Sequence, residues 1–240
     1  ALLDTATKLV SATTPLLLAL WLRYVFQSLV TSAYVLPRSG WRPPRTAHPR
    51  YPLLRAVLFA ATSLFGIFSI RAMPLAEFTA IVAATPLCVT LVAALWLRQP
   101  VSPLRWLLVA TGLASVLLIL RPGGQSFSGV LVLPLGMLAC GTGYQILSSS
   151  MAGQEAPTTT QFYTSWIAAG LMTLAVPFVW TAITSAWVWL GLVVMGLSSA
   201  LGHLLLLRAY ACAAPATIAP FLYTQIAFAM LAGWGVYGHM

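Results

Sequence analysis

Long apolar runs follow one another along almost the whole chain, and they constrain its fold more than any other feature. Each complete run is close to the ~20 residues that a helix needs to cross a bilayer. The apolar segments lie at 1–13, which is only partial, and at 15–36, 52–70, 75–97, 104–120, 129–151, 159–180, 186–208 and 214–237. Charged residues make up only 6% of the chain, against about 25% in soluble domains. We therefore predict an all-α integral membrane protein with about nine helices present.

Arginines cluster in the loop at 37–51, and their position predicts how the chain is oriented. Four lie within the loop and one just beyond it: Arg38, Arg42, Arg45, Arg50 and Arg55. The positive-inside rule places this loop in the cytoplasm. Alternation of the helices then places the 98–105 turn and the turn around Gln154 there too. Because the basic residues follow membrane topology, the formal net charge of +9 does not indicate nucleic acid, which we do not expect as a partner.

Two parts of the chain repeat one pattern at an offset of about 139 residues, which aligns Leu58 with Leu197 and Thr85 with Thr224. In both parts a helix is followed by a tight turn containing arginine and then by a helix rich in small residues. An odd number of helices in each copy would invert the second copy in the membrane. Inverted repeats of this kind are common in secondary transporters, with the substrate site near the midplane between them.

Three stretches resemble EamA-like transporters of the drug/metabolite transporter superfamily. LLDTATKLVSATTP (2–15) resembles the end of that family's first helix. EFTAIVAATPLCVTLVAALWLRQPVSPLRWLLVATGLASVLLILRPG (77–123) and GHLLLLRAYACAAPATIAPFLYTQIAFAMLAGW (202–234) resemble the ends of its first and second repeats. The resemblance implies ten helices in two inverted five-helix repeats, with both termini cytoplasmic, and transport of small organic solutes.

On this basis we expect the first repeat at 1–121, without the start of helix one, and the second at 129–240, without helix ten. Both ends would then be cut from a longer protein. The sequence also departs from the family, which often has a Gly-Glu pair where the fourth and ninth helices end. Arg98-Gln99 and Gly238-His239 stand there instead, so no role that rests on those carboxylates is expected.

Arg23 is the best candidate for substrate binding, because it lies deep in the 15–36 segment, where a charge costs about 2.5–3.5 kcal/mol on insertion scales. Gln27 is one helical turn further, on the same face, and Tyr24 extends the polar side. We expect this face to line the substrate cavity, with Arg23 binding an anionic group such as a carboxylate. The alternative is a structural ion pair between Arg23 and Asp4.

Asp4 and Glu77 are the only acids that this topology places in or near the membrane core, so they are the candidates for proton coupling. Each also has a structural interpretation. Asp4 and Lys8 are spaced at i, i+4, in the order that favours a pair within one helix. Glu77 opens the fourth helix, where the helix dipole favours an acid, and Arg71 is near enough in sequence to pair with it.

His203 and Tyr223 are further candidates for substrate contact. A histidine in a membrane helix should face protein or water, although a single hydrogen bond to a backbone carbonyl would also satisfy it. Tyr223 shares a face of the ninth helix with Pro220. We expect Pro220, and Pro86 in the fourth helix, to act as hinges, because proline in a spanning helix permits a kink; a purely structural kink is the alternative.

The remaining polar and small residues exclude other classes of function. The three acids and three histidines are scattered, without an HExxH motif or a nucleophile beside a base, so we expect no catalytic centre, no metal site and no cofactor. Small residues are interpreted as packing surfaces: Gly136, Cys140 and Gly143, and Gly196, Ala200 and Gly202.

We therefore predict a multi-pass secondary transporter of the inner membrane, moving an amino acid or related metabolite by alternating access. Its partners would be the small-molecule substrate and the lipid bilayer. The sequence leaves open whether the protein acts as a monomer or a homodimer. The alternative is a structural or lipid-related membrane protein that is not a carrier.

Overall fold

The computed structural model describes residues 2–73, 78, 81–120, 131–224, 228 and 231. Within these ranges, some side chains lie outside the description: Asp4, Lys8, Ile70, Arg105, Leu113 and those at 115–120. The described residues form helices joined by turns, with one isolated bridge between Ala152 and Glu155. The helices are α1 Leu2–Ser11, α2 Leu16–Val35, α3 Arg50–Ala72, α4 Thr85–Leu95, α5 Pro103–Leu120, α6 Val132–Ser150, α7 Pro157–Thr173, α8 Val176–Val179, α9 Ala186–Cys212 and α10 Pro215–Ile218.

Three of the described helical segments are long and apolar enough to cross a membrane: Leu16–Ser39, Arg50–Ser69 and Ala186–Cys212. The first consists of α2 and a short 3₁₀ helix, Leu36–Ser39, that continues it. The predicted class, an all-α integral membrane protein, is confirmed. The inverted relation of two repeats stays a prediction, and the boundary between them, at 121–129, lies outside the described residues.

Proline marks where several helices begin. It stands in the first turn of α4, α7, α8 and α10, where its missing N–H costs no hydrogen bond and its fixed φ suits a helix. Proline also explains where one helix ends. The seventh helix is predicted at 159–180, but α7 stops at Thr173. Pro177 has no N–H to donate to the Thr173 carbonyl, and its ring would clash with that oxygen.

The chain forms two compact units, and each draws on both halves of the sequence. Unit 1 contains residues 1–57, 151–209 and 224–240, and unit 2 contains 58–150 and 210–223. Helices α3 and α9 contribute to both, changing unit at 57–58 and 209–210. The units therefore do not coincide with the repeats expected at 1–121 and 129–240.

Hydrogen bonds fix the directions of three helices in unit 1. The indole of Trp21 donates to Thr173 Oγ1 at 2.9 Å, and the indole of Trp166 donates to Ser32 Oγ at 2.9 Å. Residue numbers rise along α2 as they fall along α7, so these two helices are antiparallel. Helix α9 runs parallel to α2, because Ser199 contacts Gln27 and Arg208 contacts Tyr34.

The apolar core of unit 1 is built by α1, α2 and α9. Its buried members are Ala6, Val10, Leu18, Ala19, Leu22, Leu192 and Met195. Glycines on α9 allow this close packing. A Cβ at Gly191 would meet the Val10 side chain at 2.6 Å, and one at Gly196 would meet Phe26 Cβ and the backbone beside it. Gly196 thus has the packing role predicted for it, whereas nothing lies within 4 Å of a Cβ built at Gly202.

The 37–51 loop and the turn at 151–156 lie against each other at one end of unit 1. Glu155 Oε1 accepts hydrogen bonds from Thr46 Oγ1 and from the backbone N–H of Ala47, the latter at 2.8 Å. The Tyr163 hydroxyl donates to the Pro44 carbonyl at 2.8 Å. Alternation of the helices predicted that these two connections share a side of the membrane, and their contact agrees with that.

Candidate functional site

A row of buried polar side chains runs between α2 and α7 in unit 1. Helix α2 buries Tyr24, Gln27, Ser28, Thr31 and Ser32, and α7 buries Thr159, Thr160, Gln161, Thr164 and Ser165. The serine and threonine hydroxyls mostly donate to carbonyls one turn earlier in their own helix, as Ser28 does to Tyr24 at 2.8 Å. Gln27 of α2 and Arg55 of α3 make hydrogen bonds that reach between helices. We call this row the polar track.

Gln27 lies at the deeper part of the polar track and is fully buried. Its Oε1 accepts a hydrogen bond from Ser199 Oγ of α9 at 2.6 Å. Its Nε2 has no hydrogen-bond partner among the described residues. An unsatisfied buried donor is costly where no water can reach it.

Gln161, near the start of α7, has the same character. It is 1% exposed, and within the described part of the chain neither its Nε2 nor its Oε1 has a hydrogen-bond partner. An amide of this kind presents one donor and one acceptor side by side. Gln161 was not among the predicted site residues, although a glutamine at the third position of the 159–180 apolar segment was a signal that could have found it.

Arg55 is a second residue for which no role at the site was predicted. It was counted with the arginines of the cytoplasmic loop, yet its side chain is fully buried, and its Nη1 donates to Thr164 Oγ1 at 2.8 Å. Its position inside the 52–70 apolar segment was the available signal. Arg55 brings a positive charge to the polar track from α3.

Arg23 and His203 bring further basic groups to the same unit. The Arg23 guanidinium lies over the Tyr24 ring, 4.7 Å from its centroid, and Tyr24 is fully buried. Arg23 on α2, Arg55 on α3 and His203 on α9 all belong to unit 1.

The contacts along α7 give the polar track a length. Arg55 meets Thr164, Ser32 meets Trp166 and Trp21 meets Thr173. At about 1.5 Å per residue, Thr164 lies about 10 Å along α7 from Pro157 and Thr173 lies about 24 Å along it. The contacts of α7 with α2 and α3 therefore span about 14 Å of its length.

Of the candidates predicted from the sequence, the structure brings together Arg23, Tyr24, Gln27 and His203 in unit 1. Tyr223 lies in unit 2, where its hydroxyl donates to the Ala83 carbonyl at 3.1 Å. The coupling candidates Asp4 and Glu77 are not placed, since the side chain of Asp4 and the whole of Glu77 lie outside the described residues.

Both candidate hinges in unit 2 stand at irregular backbone. Residues 81–83 are helical, Ala84 is a turn, and α4 starts at Thr85 just before Pro86. Pro86 cannot donate to the carbonyl of Val82, and the hydroxyl of Thr85 donates there instead at 2.7 Å. Pro220 lies in a 3₁₀ helix, Ala219–Tyr223, that follows the single turn of α10.

A family model described as the EamA-like transporter family matches residues 1–121. The chain belongs to this family. Its relatives include a "Riboflavin transporter" from Brucella anthropi, 28% identical over 92% of this chain and 79% of that protein. A "Riboflavin transporter" from Rhizobium johnstonii is 30% identical over 92% of this chain and 72% of its own length. An "S-adenosylmethionine uptake transporter" from Rickettsia bellii is 21% identical over 90% of this chain and 73% of its own length.

These relatives agree with the prediction of a transporter of small metabolites rather than an enzyme. As an EamA-like chain with long apolar helices, the protein is located in a membrane as a multi-pass protein. The named substrates belong to the relatives and differ from one another, so the substrate of this chain has to be argued from its own residues.

Proposed function

We propose that the protein containing this chain moves a small organic metabolite across the inner membrane by alternating access, and that the polar track of unit 1 binds the solute. The observation that carries this proposal is the pair of buried amides, Gln27 and Gln161, with amide atoms that no described residue satisfies. Buried polar groups at membrane depth are typical of substrate pathways. Hydrogen bonds to a solute would offset their cost.

The chemistry of the track favours a neutral or anionic solute that is rich in hydrogen-bonding groups. Arg23 and Arg55 bring two positive charges to unit 1, and the polar track supplies amides and hydroxyls. Riboflavin, the substrate in the names of two relatives, has this character: an uncharged ring system with amide-like groups and a chain of hydroxyls. An amino acid remains the second candidate, because its carboxylate suits the guanidinium of Arg23.

Counterflow in proteoliposomes tests the proposal with the full-length protein. Vesicles loaded with unlabelled solute would be challenged with labelled riboflavin, S-adenosylmethionine, amino acids and nucleosides. We expect saturable uptake of riboflavin and little exchange of S-adenosylmethionine, since its sulfonium charge is repelled by the basic groups. If the protein melts cooperatively but exchanges none of these solutes, the carrier function is wrong and a structural or lipid-related role replaces it.

Replacing Arg23 separates substrate binding from folding. Arg23→Leu removes the charge from α2 without adding bulk, so we expect transport to be lost while insertion and melting temperature stay close to the parent values. Arg50→Leu is the matched control, because Arg50 is an exposed arginine of the 37–51 loop. Normal transport by Arg23→Leu would contradict a role for Arg23 in binding.

A further inference from the structure

Two arginines from distant parts of the sequence converge on one tyrosine at the loop end of unit 1. The Arg38 guanidinium lies over the Tyr34 ring, 4.1 Å from its centroid, and Arg38 Nη1 donates to the Tyr34 carbonyl at 2.9 Å. From α9, Arg208 Nη2 lies 3.4 Å from the Tyr34 hydroxyl. All three side chains are exposed. Two cations held against one side chain repel each other, and an anion that contacts both would offset the repulsion.

Trp41 follows Arg38 by three residues and has an unusual backbone conformation. Gly40 and Trp41 both have left-handed φ values, 66° and 61°; this suits the glycine but is costly for a bulky residue. Hydrogen bonds from Trp41 N to Leu36 O at 2.8 Å and from Ser39 Oγ to Arg42 O at 2.6 Å hold the turn. The indole is left 75% exposed, at the end of a membrane helix, where tryptophan commonly lies among lipid headgroups.

No described carboxylate neutralises this surface. The chain has three acids, and Glu155 is the one whose side chain the structure describes. Glu155 Oε1 accepts hydrogen bonds from Thr46 and Ala47, and its Oε2 is buried. Arg38, Arg42 and Arg208 are therefore free of a carboxylate contact within the described part of the chain, and their charge faces outward.

We propose that Tyr34, Arg38, Trp41 and Arg208 form a docking site for the headgroup of an anionic phospholipid. The lipid phosphate would accept charge-assisted hydrogen bonds from Arg38 and Arg208, and the Trp41 indole would lie in the headgroup layer beside it. The anionic lipids of the cytoplasmic leaflet attract basic groups at the ends of membrane helices. The site is separate from the polar track and does not depend on what the protein transports.

Native mass spectrometry of the full-length protein in detergent can measure this binding. The delipidated protein would be titrated with dioleoylphosphatidylglycerol or with dioleoylphosphatidylcholine. We expect phosphatidylglycerol to bind more tightly than phosphatidylcholine. Arg38→Gln and Arg208→Gln should each weaken the binding of phosphatidylglycerol about fivefold. The double variant should bind phosphatidylglycerol about 25-fold more weakly if the two contacts are independent. Trp41→Ala should also weaken binding, and Arg50→Gln removes the same charge elsewhere in the loop and should leave affinity unchanged.

Three results would overturn the proposal. An equal loss in Arg50→Gln would show that net charge, and not this cluster, attracts lipid. Equal affinity for the zwitterionic choline lipid would remove the selectivity for an anionic headgroup. Displacement of phosphatidylglycerol by millimolar inorganic phosphate would show that the cluster binds a free anion and not a lipid headgroup. Each variant would be used only if its melting temperature in detergent matches the parent protein, so that loss of folding is not mistaken for loss of a site.

Discussion

Arg55 illustrates how much a single side chain contributes at the residue scale. A fully buried arginine is tolerated only when its hydrogen bonds are arranged by neighbouring groups, and Thr164 supplies one such acceptor at 2.8 Å. Thr164→Val removes this acceptor with almost no change of shape. We expect it to destabilise the folded protein by about 1.5–3 kcal/mol, the range for a hydrogen bond to a charged group. Thermal unfolding in detergent measures the change.

The control for this substitution is Thr90→Val in α4. Thr90 is also buried, but its hydroxyl donates to the Pro86 carbonyl of its own helix at 2.9 Å. Its loss should lower stability by no more than about 1 kcal/mol, as for a typical neutral hydrogen bond. Equal melting temperatures for the two variants would mean that the contact between Arg55 and Thr164 contributes little.

At the scale of elements, the approach of α9 to α2 depends on a residue without a side chain. A Cβ at Gly196 would overlap Phe26 and would lie 3.2 Å from the backbone nitrogen of Gln27. Gly196→Ala should therefore push the helices apart, strain the contact between Gln27 and Ser199, and cost about 1–3 kcal/mol as overpacking does. We expect both stability and substrate binding to fall, measured by thermal unfolding and by counterflow.

Gly202 provides the matched substitution on the same helix. Nothing lies within 4 Å of a Cβ built there, and alanine is favoured over glycine inside a helix by up to about 1 kcal/mol. Gly202→Ala should therefore be neutral or stabilising. The explanation by close packing fails if the two alanine variants melt at the same temperature.

For the whole molecule, the testable property is topology. The contact between Glu155 and Thr46 puts two connections at one end of unit 1, and the 174–185 connection follows α7 at its other end. The background for this test is a variant in which serine replaces the free cysteines Cys88, Cys140 and Cys212. One cysteine at a time would then be introduced at Ala47, Gln154 or Thr181. Each variant would be labelled in intact cells with an impermeant maleimide. We expect only the cysteine at Thr181 to react, since the arginine-rich loop should be cytoplasmic. Labelling of the cysteine at Ala47 instead would reverse the orientation, and labelling of all three would refute alternation.

Particular residues show how far the sequence could predict the site. Arg23 and Gln27 were found because polar groups in an apolar run are conspicuous, and their spacing on one helix face follows from 3.6 residues per turn. Arg55 and Gln161 lie nearer the ends of their segments, where a polar residue usually faces headgroups or water, so no local pattern distinguishes a buried position from an exposed one. Tyr223 stays a prediction for substrate contact; its hydroxyl donates to the Ala83 carbonyl within unit 2.

The sequence by itself determined the class of the protein and its family, because crossing a bilayer requires continuous apolar segments and hydrogen bonds within each helix. Only the tertiary structure decided which polar residues share a unit and which glycines lie at a close approach. It also decided how segments from the two halves combine into units. The reason is that these depend on contacts between residues more than 100 positions apart, as between Gln27 and Ser199, and such pairs leave no periodic signal in one sequence.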